Sequence, residues 1–137
     1  MKTPQKIAFF GLSVVLAGCA VTPTYQGPIA APPICASPAQ CAAEWNEART
    51  FVLAHVGFKL QTYSRDFMQT YNPVGDSMDL GAQVNKQPLP GGRYEIVASF
   101  YCNKDPFGLL ACTPPARATL NAFNKAVAAA GTQDVAR

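Results

Sequence analysis

His55, Ser64 and Asp66 are the residue types of a hydrolytic relay, and they fall within one short stretch of the chain. A histidine acting as general base needs a nucleophile on one side and an orienting acid on the other. No motif frames these three. His55 instead closes a helical pattern, where the helix dipole favours it. Asp66, Asp76 and Asp79 raise a second chemistry, the acid and base pair of a glycosidase, which needs a cleft between two carboxylates. Their plain reading is as solvated loop acids. Gly91 and Gly92 follow Pro90 in a turn and open no helix, so they are no phosphate loop. No calcium-binding loop pattern occurs. The expectation is no catalytic residue.

The cysteines carry more. There are five: Cys19, Cys35, Cys41, Cys102 and Cys112. With His55 the only histidine and no Cys-x-x-Cys pair, no metal site is expected. Cys19 stands apart at the end of a leader. The other four allow three pairings, or four free buried thiols. Cys35 lies just before a helix start and Cys41 one turn inside it. Cys102 and Cys112 bracket the loop Asn103–Ala111. Local pairing, Cys35–Cys41 and Cys102–Cys112, is the expectation, and closing the second ring stabilises by a few kcal/mol in the loop-entropy picture.

Residues 1–18 have the build of an export signal. Lys2 and Lys6 precede an apolar run from Ile7 to Ala17, broken by Gly11 and Ser13. That run is shorter than the roughly 20 apolar residues of a membrane span. A plain secretory leader ends in an Ala-x-Ala-like site, whereas this one ends Leu16-Ala17-Gly18-Cys19. The LAGC sequence resembles the lipobox of bacterial lipoproteins. The resemblance implies that the Cys19 thiol receives a diacylglycerol, that the leader is cut before it, and that the new amine is N-acylated. Ala20 at the next position, not Asp, resembles the sorting context for the outer membrane of a Gram-negative cell, facing the periplasm. At about 0.8 kcal/mol per buried methylene, several chains on one residue hold the protein without a spanning helix. No other cofactor is expected. The body is similar to small envelope lipoproteins of proteobacteria, through a tryptophan-bearing first helix, QTYNP at 69–73, and Cys102-Asn103 followed by Phe107-Gly108 and Cys112. That similarity implies no activity. An oxidising periplasm agrees with disulfides.

Cleavage after Gly18 leaves 119 of the 137 residues, the length of one domain. The formal charge falls from +3 to +1, since Lys2 and Lys6 go with the leader. No basic cluster remains, so nucleic acid is not an expected partner. Pro23, Pro28, Pro32 and Pro33 make residues 19–36 a candidate extended tether, reaching roughly 45 Å at about 3 Å per residue. Tyr25 and Ile29 are apolar enough to dock it on the domain. A single globular domain is expected over 37–131, and a loose tail over 132–137.

Within the domain, Ser37, Pro38 and Gln40 spell a capped helix start. Cys41, Trp45, Ala48, Phe51 and Val52 form its apolar stripe, Glu44 falls mainly off it, and Gly57 is its candidate C-cap. Period-two runs follow at Phe58–Tyr63, Asp66–Tyr71, Met78–Lys86 and Arg93–Cys102, with a hard turn at Pro88–Gly92. Thr113-Pro114 opens a second helix, with Ala116, Leu120, Phe123, Val127 and Ala130 in one stripe and Gly131 at its end. The expected fold is α+β: a two-layer sandwich with a four-stranded antiparallel sheet and both helices on one face, in the order α-β-β-β-β-α.

On that reading Tyr63, Met68, Thr70, Val97, Ser99 and Tyr101 lie opposite the core side, beside the apolar loop residues Phe107, Leu109 and Leu110. An exposed apolar patch marks binding, which makes Tyr63, Tyr101, Phe107, Leu109 and Leu110 the candidate partner-binding residues. A curled sheet, or the tether folded back across it, is the alternative. The leading functional expectation is a membrane-anchored, periplasm-facing lipoprotein, a non-enzymatic module binding an envelope protein in assembly, secretion or toxin immunity. The alternative is a small periplasmic hydrolase or ligand carrier.

Overall fold

A computed structural model describes residues 25–103 and 112–135. The leader, Cys19, Phe107, Leu109 and Leu110 lie outside the described residues. Ser37, in extended backbone, accepts the Gln40 N–H on its hydroxyl at 3.2 Å. Pro38 follows where a missing N–H costs nothing. The Gln40 Oε1 reaches back past the cap to the Ala36 N–H at 2.9 Å. From this cap α1 runs Pro38–His55 and buries Cys41, Glu44, Trp45, Ala48, Phe51 and Val52. Glu44, read as off the stripe, is inside it. Val56, not Gly57, closes α1, with its N–H on the Val52 carbonyl at 3.0 Å. Gly57 serves a close approach instead, because a Cβ there would stand 2.8 Å from the Asp79 Cβ.

The sheet has five antiparallel strands, not four. They are β1 (Ile34–Cys35), β2 (Leu60–Tyr63), β3 (Phe67–Thr70), β4 (Gly81–Leu89) and β5 (Arg93–Tyr101), in the order β1-β5-β4-β3-β2. The extra strand is two residues long and lies in a proline-rich run, so it has no period to read. Pairing makes it: Ile34 sits opposite Glu95, Cys35 opposite Tyr94, and the Ile96 N–H meets the Pro33 carbonyl at 2.9 Å. The β4–β5 hairpin turns through Gly91 and Gly92, both at positive φ, which glycine adopts without steric cost.

Two disulfides are present, Cys35–Cys41 and Cys102–Cys112. The first fastens β1 to the opening turn of α1. The second fastens the end of β5 to the start of the segment leading to the second helix, α2 (Ala116–Val135). The α2 helix passes through Gly131, so residues 132–135 are helical and not the loose tail expected there. Both helices cover one sheet face. Phe51, Phe100 and Phe123 meet edge to face there, with ring centres 5.4–6.2 Å apart, among Trp45, Val84, Ile96 and Val127. Such aromatic pairs add about 0.5–1.5 kcal/mol each beyond their burial. Leu120 packs half-buried at the margin.

The expected tether is largely part of the domain. Ala30 donates its N–H to the Asn121 Oδ1 at 2.9 Å, and its carbonyl accepts the Asn124 Nδ2 at 2.6 Å. The Asn121 amide also reaches the Tyr25 hydroxyl at 3.0 Å, and Arg117 reaches the Gly27 carbonyl at 3.3 Å. Arg117, Asn121 and Asn124 are spaced to share one side of α2. Prolines leave this segment few N–H groups to satisfy, so a few side chains suffice to hold it. It lies on α2 and not across the open sheet face.

Candidate functional site

Of the candidate partner-binding residues, Tyr63 and Tyr101 lie among the described residues, and they face opposite sides of the sheet. Met68 and Thr70 are fully buried on the helix side of the sheet. Register decides this: Met68 lies opposite Val84, and Val84 opposite Ala98, so the three share a face. The Thr70 hydroxyl accepts the Ala82 N–H at 2.9 Å, which makes its burial affordable. Tyr63 is also on the helix side. A β-bulge between Leu60 and Thr62 shifts the phase, placing Tyr63 opposite Met68. Its ring stacks on Trp45 at 6.4 Å, with the Arg49 guanidinium 5.1 Å from its centre. Tyr101 is on the open face and half-buried, donating its hydroxyl to the Asn72 Oδ1 at 2.9 Å. The open face carries a polar row, Thr62, Gln69, Gln83 and Ser99, across four strands, and a second row in which half-buried Phe67 and Val97 flank Asn85. Of the residues expected opposite the core, Val97, Ser99 and Tyr101 are on the open face, and Tyr63, Met68 and Thr70 are on the helix side.

No relay assembles around His55. Its Nδ1 lies 3.0 Å from the Phe51 carbonyl and its ring stacks on Phe51 at 4.1 Å. The Ser64 carbonyl accepts the Trp45 indole N–H at 3.2 Å. Trp45 and His55 are ten residues apart on α1, about 15 Å along the axis. The Ser64 hydroxyl serves its own turn, bonding Asp66 and the Phe67 backbone. Asp66 and Asp79 do not pair either. The Asp66 carbonyl meets the Lys86 N–H at 2.8 Å, while Asp79 precedes Gly81 at the far end of β4, roughly 17 Å away along the strand. Among the described residues no group of three His, Cys, Asp or Glu side chains could hold a metal ion, and no helix is long and apolar enough to cross a membrane.

The concavity lies elsewhere. The opening turns of α1 stand beside the β4–β5 hairpin, and between them lies a groove of about 690 Å³, within the range of ligand sites. Ser37, Cys41 and Trp45 from α1 make one wall, and the Arg65-Asp66 turn makes another. Lys86, Pro88 and Tyr94 come from the β4–β5 hairpin. The Lys86 Nζ lies 5.3 Å from the Trp45 ring centre and 5.6 Å from that of Tyr94, so the two rings hold it by cation–π contact. Among the described residues no carboxylate is within ion-pair distance of Lys86 or Arg65. The Asp66 carboxylate accepts the Ser64 hydroxyl at 3.0 Å. No family model matches this chain, and neither a curated protein nor a solved structure matches it. The groove was not anticipated from the sequence, although a signal existed. Lys86 continues the alternation Ala82, Val84, which puts a cation in phase with core residues.

A second polar group is buried between the helices. Glu44 is 1% exposed. Its Oε1 accepts the Gln40 Nε2 at 2.9 Å, and its Oε2 has no partner among the described residues. Burial raises its pKa above the ordinary 4.5, and the Gln40 hydrogen bond lowers it by less. This acid faces α2 across a packed interface and has no access to the groove's chemistry through any hydrogen bond beyond Gln40.

Proposed function

We propose that this chain is a lipid-anchored protein of the Gram-negative envelope, whose domain holds a partner protein in the groove beside Lys86 without catalysing a reaction. One observation carries the binding half: a half-buried cation held by two aromatic rings in an open groove, with no carboxylate paired to it among the described residues. Tyr94, 37% exposed beside the edge of the buried Trp45, offers the rigid amphipathic surface that interfaces favour.

The anchoring half rests on LAGC at 16–19 and on Ala20, with diacylglycerol and N-acyl chains on Cys19 and the outer membrane as destination. Two disulfides agree with an oxidising compartment. Docking of residues 25–33 leaves only the stretch from Cys19 to Tyr25 as a link, about 20 Å when fully extended. A link of that length holds the near end of the domain closer to the bilayer than the roughly 45 Å of a free tether.

Photo-crosslinking in the native envelope tests the binding reading. A photoreactive residue at Pro88 should capture one protein reproducibly, and one at Ser99 on the open face should not. Capture from Ser99 alone would move the interface to the other side of the sheet.

A further inference from the structure

The charge of the groove specifies its partner more closely, and this step rests on the binding reading above. We infer that the groove receives an acidic segment of the partner, with a carboxylate seated between Lys86 and Arg65. Four observations converge. The backbone bond from Lys86 to Asp66 sets Lys86 beside the Arg65 turn, so both cations serve one end of the groove. Neither has a carboxylate partner among the described residues. The one acid in the lining, Asp66, is engaged by Ser64. The N-terminal turn of α1 also lines the groove and contains no acid, leaving the positive end of its dipole uncompensated there.

The rings set the rest of the fit. Lys86 is held against Trp45 and Tyr94 by weak contacts that a carboxylate can replace by drawing the ammonium outward. The vacated ring faces then meet the apolar or proline side chains flanking the acid. Tyr94 is 37% exposed and available for this. A basic segment would meet like-charge repulsion from Lys86 and Arg65, two cations against the one acid of the lining.

The test uses the full chain and its single tryptophan. Trp45 emission should change when a nine-residue peptide of alternating glutamate and proline is added at low salt, and not with the lysine counterpart. Affinity should fall steeply from 50 to 200 mM salt. Lys86→Gln and Arg65→Gln should each weaken binding about tenfold, Lys86→Glu should abolish it, and Lys86→Arg should retain it. Circular dichroism checks that each variant is folded, and Arg65, on an exposed turn, provides a variant outside the core. Wild-type affinity in both glutamine variants, or binding of phosphatidylglycerol vesicles with none of the acidic peptide, overturns the inference. A crosslink from Pro88 to a partner segment lacking acids also overturns it while leaving the binding reading standing. Loss of every crosslink at Pro88 removes both.

Discussion

The Glu44 side chain lies directly over Gly131: a Cβ at residue 131 would stand 2.9 Å from the Glu44 Cγ. This contact sets how closely α1 and α2 pack at their N- and C-terminal ends respectively. It also explains why a glycine persists inside α2, where alanine would be favoured by about 1 kcal/mol on helix propensity alone. Gly131→Ala should destabilise the domain by roughly 1–3 kcal/mol net, as overpacking does. Adding Glu44→Ala should restore much of that loss. Denaturant unfolding of the four proteins in the cycle measures the coupling. Purely additive effects would falsify the contact.

Glu44 also makes stability depend on pH. Its folded-state pKa is raised by burial, so the folded state binds this proton more tightly than the unfolded state. The contribution is fully present below about pH 4.5 and is lost as pH rises through the raised folded value. Glu44→Gln should remove that part of the slope and be the more stable protein at pH 8. Thermal melts at pH 4.5, 6 and 8 on both proteins read this out.

Freeing the N-terminal segment is the third test. Asn121→Ala and Asn124→Ala each remove a hydrogen bond to Ala30, at about 1 kcal/mol apiece. The double variant should expose residues 25–33 to limited proteolysis and rapid amide exchange, while the sheet stays protected. Unchanged protection at Ala30 would refute the docking.

The disulfides offer a comparison of ring against ring. Cys35→Ser/Cys41→Ser and Cys102→Ser/Cys112→Ser should each cost about 2–3 kcal/mol from loop entropy. The first pair also ties β1 to α1, so its loss should loosen Ile34–Cys35 as well. Amide exchange at Ile96, which bonds the Pro33 carbonyl, reports that local effect.

Cys19→Ser should abolish incorporation of labelled fatty acid and release the protein from membranes. The LAGC motif motivates this. Labelling that persists in the variant would place the lipid elsewhere or remove it from the account.

Short-range physics was readable in the residue order. Ser37, Pro38 and Gln40 announce the start of α1, because a cap involves groups within four residues. The turn through Gly91 and Gly92 and the two local cysteine pairs follow from chemistry inside a few residues. The α+β class follows from the change of period between helices and strands. Phe67 and Met68 show where that reading ends. Both are apolar and adjacent, so alternation cannot choose the inner one; pairing with Val84 puts Met68 inside. Tyr63 changes side because of one bulge, which has no composition of its own. Glu44 is buried because Gly131, 87 residues away in sequence, leaves room for it. The groove exists because the β4–β5 hairpin and the 65–66 turn come to lie beside the start of α1, a matter of relative placement. Caps, turns and small rings are local equilibria that neighbouring residues decide. Face, burial and concavity depend on which distant segments meet, and only the assembled chain brings those segments into contact.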